Sequence, residues 1–236
     1  MIPYKDDNPT HHVPLVTYAI ILLNILCWVF VQGMGMDPAL SESICSYGII
    51  PAAVLERATM EAANNICAVA YQSVWVTLTS MFMHGSWFHL IGNMWFMWIF
   101  ADNIEDVLGP VKFVMFYLVG GIAAVGVQLL ADPSSLIPMV GASGAIGGIM
   151  GAYAWLYPTV KVRIAIILGF FIIRHTIPAW VMLGIWLGIQ LLGGFAALAS
   201  STGAGVAFWA HIGGFLTGFL LIQLIYREPP SVSKLQ

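Results

Sequence analysis

Six apolar runs, at residues 13–31, 75–100, 113–130, 142–157, 179–199 and 206–226, divide this chain and set what it can become. Each approaches the roughly 20 residues that a helix needs to cross a bilayer. A soluble globule is excluded because too little polar surface remains to coat one. Only 8% of the 236 residues are charged, 60% are hydrophobic, and mean hydropathy is +0.89. The expected fold is an all-α, six-transmembrane-helix bundle over residues 13–226, with its one sizeable loop at 33–73. Residues 1–12 precede the bundle, and 227–236 form a polar tail expected to be disordered.

A further apolar stretch, residues 164–173, would be about 15 Å long as a helix. It cannot cross a ~30 Å core and is read as interfacial or re-entrant. Arg163 and Arg174 at its two ends keep both ends on one side. With six crossings and both termini inside, Lys5, Lys112, Lys161, Arg163, Arg174, Arg227 and Lys234 fall on the inner side and only Arg57 outside. That is the bias of the positive-inside rule. No small-residue cleavage site follows the first run, so it is expected to stay as a helix. Cys45 and Cys67 in the 33–73 loop either pair, if that side is oxidising, or remain two free thiols.

Polar side chains inside hydrocarbon are costly and need a reason. The second run carries "HGSWFHLIGN", with His89 and Asn93 four apart on one helix face and His84 nearer the outer surface. The fourth carries Ser143 within "GASGAIGG", and the sixth carries His211 within "AFWAHIGGFLTG". Taken singly, Ser143 reads as a helix-packing residue, His84 as interfacial and Asn93 as interhelical glue. Together, Ser143, His211, His89 and Asn93 lie at similar depth near the outer helix ends. Gly147 sits one turn below Ser143 and Gly218 two turns below His211, and such stripes let two helices approach closely. That proximity would bring a serine hydroxyl within the ~3 Å of an imidazole at which it can be deprotonated.

The fourth run is only about 24 Å long, so the loop 132–141 must dip into the membrane to meet it. Irregular backbone at that depth has to be covered by protein or line a wet cavity. The unpaired amides of a helix N-terminus there suit a developing oxyanion. No acidic residue lies in the last three runs, so a Ser–His dyad is expected rather than a triad. The histidine spacing of five and the missing carboxylate argue against a zinc site, and no metal or cofactor is expected. A transporter would show inverted repeats with matching breaks, and none is present.

These boxes, in this order and on these runs, resemble the rhomboid family of intramembrane serine proteases, in its six-helix prokaryotic form. The resemblance runs from "DDNPTHHVPLVTY" to "GFLTGFL". It implies Ser143 as nucleophile and His211 as general base. His89, Asn93 and the Ser143 amide would stabilise the oxyanion, with His84, Gly141 and Gly144 in support. It implies transmembrane protein substrates, a bilayer and no nucleic acid as partners. It also implies a plasma (inner) membrane location with cytoplasmic termini. A non-proteolytic membrane-protein chaperone of the same superfamily is the alternative. Substrate entry is expected between the second and fifth helices, with Gly193 and Gly194 loosening the fifth. Two positions depart from the family pattern. Gly147 stands where an aromatic often stacks on the base, which makes Trp209 the candidate replacement. Trp75-Val76 stands where many bacterial members have Trp-Arg.

Overall fold

The computed structural model describes residues 1–56, 67, 71–199 and 206–226. The tail 227–236 and the placement of Arg57 lie outside the described residues. In chain order the elements are strand β1 (Ile2–Asp6), α1 (Leu15–Leu26), α2 (Ala39–Tyr47), α3 (Pro51–Val54), α4 (Val76–Thr79), α5 (Trp87–Leu108), α6 (Pro110–Ala131), α7 (Ser143–Leu156), β2 (Lys161–Leu168), β3 (Phe171–Pro178), α8 (Ala179–Ala199) and α9 (Phe208–Ile225). Among the described residues, α6, α8 and α9 are each long and apolar enough to cross a membrane. The protein is a mostly helical membrane protein.

The second run does not form one helix from residue 75. It breaks into α4 and a 3-10 turn, then restarts at Trp87, where the Ser86 side chain accepts the His89 amide at 3.1 Å. At its other end α5 continues past residue 100 to Leu108, through Asp102, Glu105 and Asp106. Those acids are tolerated because they have partners. Glu105 accepts the amides of Val16 (2.9 Å) and Thr17 (2.7 Å), which caps the bare N-terminus of α1. Hydrogen bonds to a charged group are worth about 1.5–3 kcal/mol each. Asp106 likewise accepts the amides of His11 and His12. The turn from α5 to α6 is made by Gly109 at φ +72° followed by Pro110 at the first helical position.

The all-α expectation fails at residues 161–178. That segment is an antiparallel hairpin, and β1 adds to it to give a sheet of order β1-β2-β3. Its β-branched content, with Val162, Ile164, Ile166, Ile167, Ile172, Ile173, Thr176 and Ile177, favours strands. Gly169 at φ +60° makes the two-residue turn. The ends of the stretch do stay together, since Ala165 pairs with Arg174 and Arg163 with Thr176.

Helix α7 is the centre of the bundle, with every residue from Gly144 to Tyr153 buried. Against α9 the two backbones almost touch. A Cβ on Gly214 would lie 1.9 Å from the Gly144 carbonyl oxygen, and one on Gly218 would lie 1.9 Å from that of Gly148. On the α7 side, a Cβ on Gly151 would lie 2.0 Å from the Phe215 oxygen and one on Gly147 would lie 2.9 Å from the His211 oxygen. Only glycine permits this approach, and dispersion plus weak Cα–H···O contacts hold it in an apolar solvent. Substituting Gly218→Ala should therefore force the helices apart and cost about 1–3 kcal/mol. Gly184→Ala on α8, where the added methyl meets open space, should be neutral or stabilising. Thermal unfolding in detergent checks this, and equal effects at the two sites would contradict the packing argument.

Candidate active site

Ser143 is the first residue of α7, at the mouth of the glycine-packed interface. The chain reaches it through Gly141 at φ +120°, a backbone that side-chain-bearing residues rarely adopt. A Cβ at that position would also lie 2.7 Å from His89 Nε2. The preceding loop is covered by the 33–73 segment. Met139 and Ile49 exchange backbone hydrogen bonds at 2.6 and 2.9 Å, and the Ala52 amide donates to the Ser135 carbonyl at 3.0 Å. The covering segment is itself fixed by Gln72, whose side chain accepts from the Ile50 amide and donates to the Gly48 carbonyl. Cys45 and Cys67 in the same segment are joined by a disulfide, with Cα atoms 5.2 Å apart.

Across the interface, His211 Nε2 lies 2.7 Å from Ser143 Oγ. The other ring nitrogen, Nδ1, lies 2.8 Å from Gln190 Oε1 on α8. An amide oxygen can only accept, so Nδ1 carries the proton and Nε2 is left to accept from the serine. The imidazole is also faced by Trp186, one turn before Gln190, with ring centroids 6.0 Å apart at 35°. Trp209 is not the stacking partner: its ring packs edge-on against Phe195 at 5.5 Å. Gly147 cannot carry an aromatic here because its Cβ direction points at the His211 carbonyl. The ring over the base comes from α8 instead.

His89 and Asn93 face the same cavity from α5. The Gly85 amide donates to His89 Nδ1 at 3.4 Å, which leaves Nε2–H as a donor beside Gly141. Asn93 Nδ2 lies 2.9 Å from His84 Nε2. One amide hydrogen is spent there and the other remains free. His84 is not interfacial. It is fully buried behind the site, edge-on to His89 at 5.1 Å. Gln32, at the end of the π turn that follows α1, clasps its backbone: the His84 amide donates to Gln32 Oε1 (2.8 Å) and Gln32 Nε2 donates to the His84 carbonyl (2.7 Å). A cavity of about 630 Å³ is lined by Ser143, His211, His89, Asn93, Gly141 and Gly144, with Trp186 and Gln190 on its α8 side. The arrangement pairs a hydroxyl with an oriented base beside two side-chain donors and the free amides of a helix N-terminus.

The family model for the rhomboid domain matches residues 71–228. The chain belongs to the rhomboid family. A curated relative named "Putative rhomboid protease YdcA" from Bacillus subtilis (strain 168) is 28% identical over 214 residues, covering 89% of each protein. Rhomboid-like protein 11, chloroplastic, of Arabidopsis thaliana is 29% identical over 157 residues, 64% of this chain and 52% of that protein. The mitochondrial RHOMBOID-like protein 6 of the same plant is 31% identical over 161 residues, 66% of this chain and 45% of that protein. This rhomboid chain thus spans about half the length of the plant relatives.

Sequence reasoning missed Gln190, Trp186 and Gln32. Glutamine in an apolar helix was the available signal, since an amide in hydrocarbon needs a partner as much as a histidine does. Replacing Gln190 by Leu should free His211 Nδ1 and let the proton move to Nε2. In protein labelled with ¹⁵N-histidine, the wild type should show a protonated Nδ1 for His211 and the variant a mixture. An unchanged tautomer would show that Gln190 does not set it.

Proposed function

We propose that this rhomboid-family protein is an intramembrane serine endopeptidase. The observation that carries the reading is the 2.7 Å contact between Ser143 Oγ and His211 Nε2, with the imidazole oriented by a third group. Ser143 Oγ attacks the scissile carbonyl carbon while its proton passes to His211 Nε2. The carbonyl oxygen becomes an oxyanion held by His89 Nε2–H, the free hydrogen of Asn93 Nδ2 and the Ser143 amide. Collapse breaks the C–N bond as the imidazolium returns its proton to the leaving amine. Water in the cavity then adds to the acyl-enzyme, again through His211, and releases the carboxyl product. His84 holds Asn93 from behind, while Gly141 and Gly144 keep backbone close to the reacting centre.

Six helices, α1 with its π extension and α5 to α9, cross the bilayer in this reading, with both termini cytoplasmic and the membrane the plasma (inner) membrane of a bacterium. The positive-inside bias and the disulfide in the 33–73 segment support that orientation. Substrates are membrane proteins whose transmembrane segment unwinds readily. They enter between α5 and α8, because α8 carries the largest share of unburied apolar surface of the three long spans. No cofactor takes part.

With protein in liposomes and a single-span substrate, the wild type should cut near the membrane, and Ser143→Ala and His211→Ala should each lower kcat by about 10⁴-fold or more. Full cleavage by either variant would overturn the dyad. An engineered disulfide tying α5 to α8 should stop cleavage of the transmembrane substrate while sparing reaction with a small acylating probe. Unaffected cleavage would exclude that entry route.

A further inference from the structure

The proposed chemistry leaves one charged group of the cavity unused. Among the described residues that line it, Asp132 is the one carboxylate, and no lysine or arginine joins it. Asp132 ends α6 and stands half-buried at the start of the loop 132–141. Its backbone is spent on the turn. The amide donates to the Gln128 carbonyl at 2.9 Å, and the carbonyl accepts from the Ser135 amide at 3.4 Å. Its carboxylate takes no hydrogen bond or ion pair from the described residues.

That position is electrostatically wrong for an acid that serves the helix. The last carbonyls of a helix carry the negative end of its dipole, which favours cations and repels carboxylates. No basic residue in the last turn of α6 offsets the charge. Glu105 shows the contrast, because its carboxylate caps the positive end of α1 through the Val16 and Thr17 amides. At Asp132 the carboxylate and the helix end add, and they concentrate negative potential at the cavity rim. The outer segments of the proposed topology carry the same sign by sequence, with Asp37, Glu42, Glu56, Glu61 and Asp132 against Arg57 alone.

Packing along α6 sets the distance from the dyad. The Ala124 methyl packs over Gly144, beside the nucleophile, and Gln128 Oε1 accepts the Ala210 amide at 3.2 Å, beside the base. Asp132 follows Ala124 by eight residues, which puts it about 12 Å farther out at 1.5 Å per residue. An extended peptide covers about that distance in three or four residues.

We infer that Asp132 is a specificity-determining residue, which selects substrates carrying lysine or arginine three or four residues from the scissile bond. The inference deepens the protease reading and rests on it. A basic side chain at that point meets both the carboxylate and the terminal carbonyls of α6. The outer flanks of transmembrane segments are poor in lysine and arginine, so such a residue marks few membrane proteins.

The test compares substrates within each enzyme, so that a general change in activity cancels. The full chain in liposomes receives one single-span substrate with Lys, Gln or Glu placed in turn at each of the six or so positions on either side of the cleaved bond. The wild type should show kcat/KM about fivefold higher for Lys than for Gln at the third or fourth position on one side, the scale of one solvent-accessible ion pair. That ratio should shrink at about 0.5 M salt, fall near one in Asp132→Asn and turn to favour Glu in Asp132→Lys. A wild-type ratio near one at every position overturns the inference, and so does a Lys preference that survives Asp132→Asn. Binding of the same substrates to Ser143→Ala, read by fluorescence anisotropy, separates this inference from the protease reading. If the wild type cuts nothing while Lys is still bound over Gln, the protease reading falls and Asp132 keeps its role as selector of a basic chain. If the wild type cuts nothing and all three bind equally, both fall.

Discussion

The contact between α7 and α9 is the constraint on which the rest depends. Four glycines, Gly144 and Gly148 on one helix and Gly214 and Gly218 on the other, let the two backbones meet with no side chain between them. In lipid there is no hydrophobic drive to pull helices together, so the approach has to be earned by packing. Once made, it fixes the serine at the top of α7 against the histidine at the top of α9 without any flexible linker. Gly147 belongs to the same surface. Its lack of a side chain lets the His211 carbonyl close in, and it leaves the imidazole face to be covered from α8.

The second constraint is the cost of polar groups in an apolar medium. His211, His89 and Asn93 each have a partner that also fixes their role. Gln190 Oε1 accepts from His211 Nδ1–H, the Gly85 amide donates to His89 Nδ1, and His84 Nε2 accepts one hydrogen of Asn93. Gln32 then satisfies both backbone groups of His84, as a neighbouring strand would. The donors proposed for the oxyanion are therefore held before any substrate arrives, which is what electrostatic stabilisation of a transition state requires. Helix α8 stands apart: it supplies Gln190 and Trp186 to the base while leaving much of its own surface unburied. A displacement of α8 would therefore also disturb the imidazole.

Much of the site was legible because ionisable and amide side chains are rare in apolar runs. Ser143, His211, His89 and Asn93 stood out for that reason, and the structure brings all four to one cavity. Gln190 carried the same signal but was passed over because the search for a third group looked for acids. The fold was legible where length decided: residues 179–199 form α8 as expected. It was misread where a tertiary partner decided. The second run was ended at residue 100, whereas α5 continues to Leu108, where Glu105 caps α1 and Asp106 binds the N-terminal segment. The stretch 164–173 was judged by its length as a helix, and its β-branched content was given too little weight. The strand at Ile2–Asp6 exists only because that hairpin offers it an edge.

The central claim is that Ser143 is activated by His211 within an assembled oxyanion site. The most direct measurement is reaction of the purified protein with a fluorophosphonate, followed by peptide mapping of the adduct and a structure of the trapped complex. The account predicts a single adduct on Ser143 Oγ, absent in His211→Ala, with the phosphoryl oxygen within hydrogen-bond distance of His89 Nε2 and Asn93 Nδ2. No adduct on folded protein, or one formed equally well without His211, would contradict it.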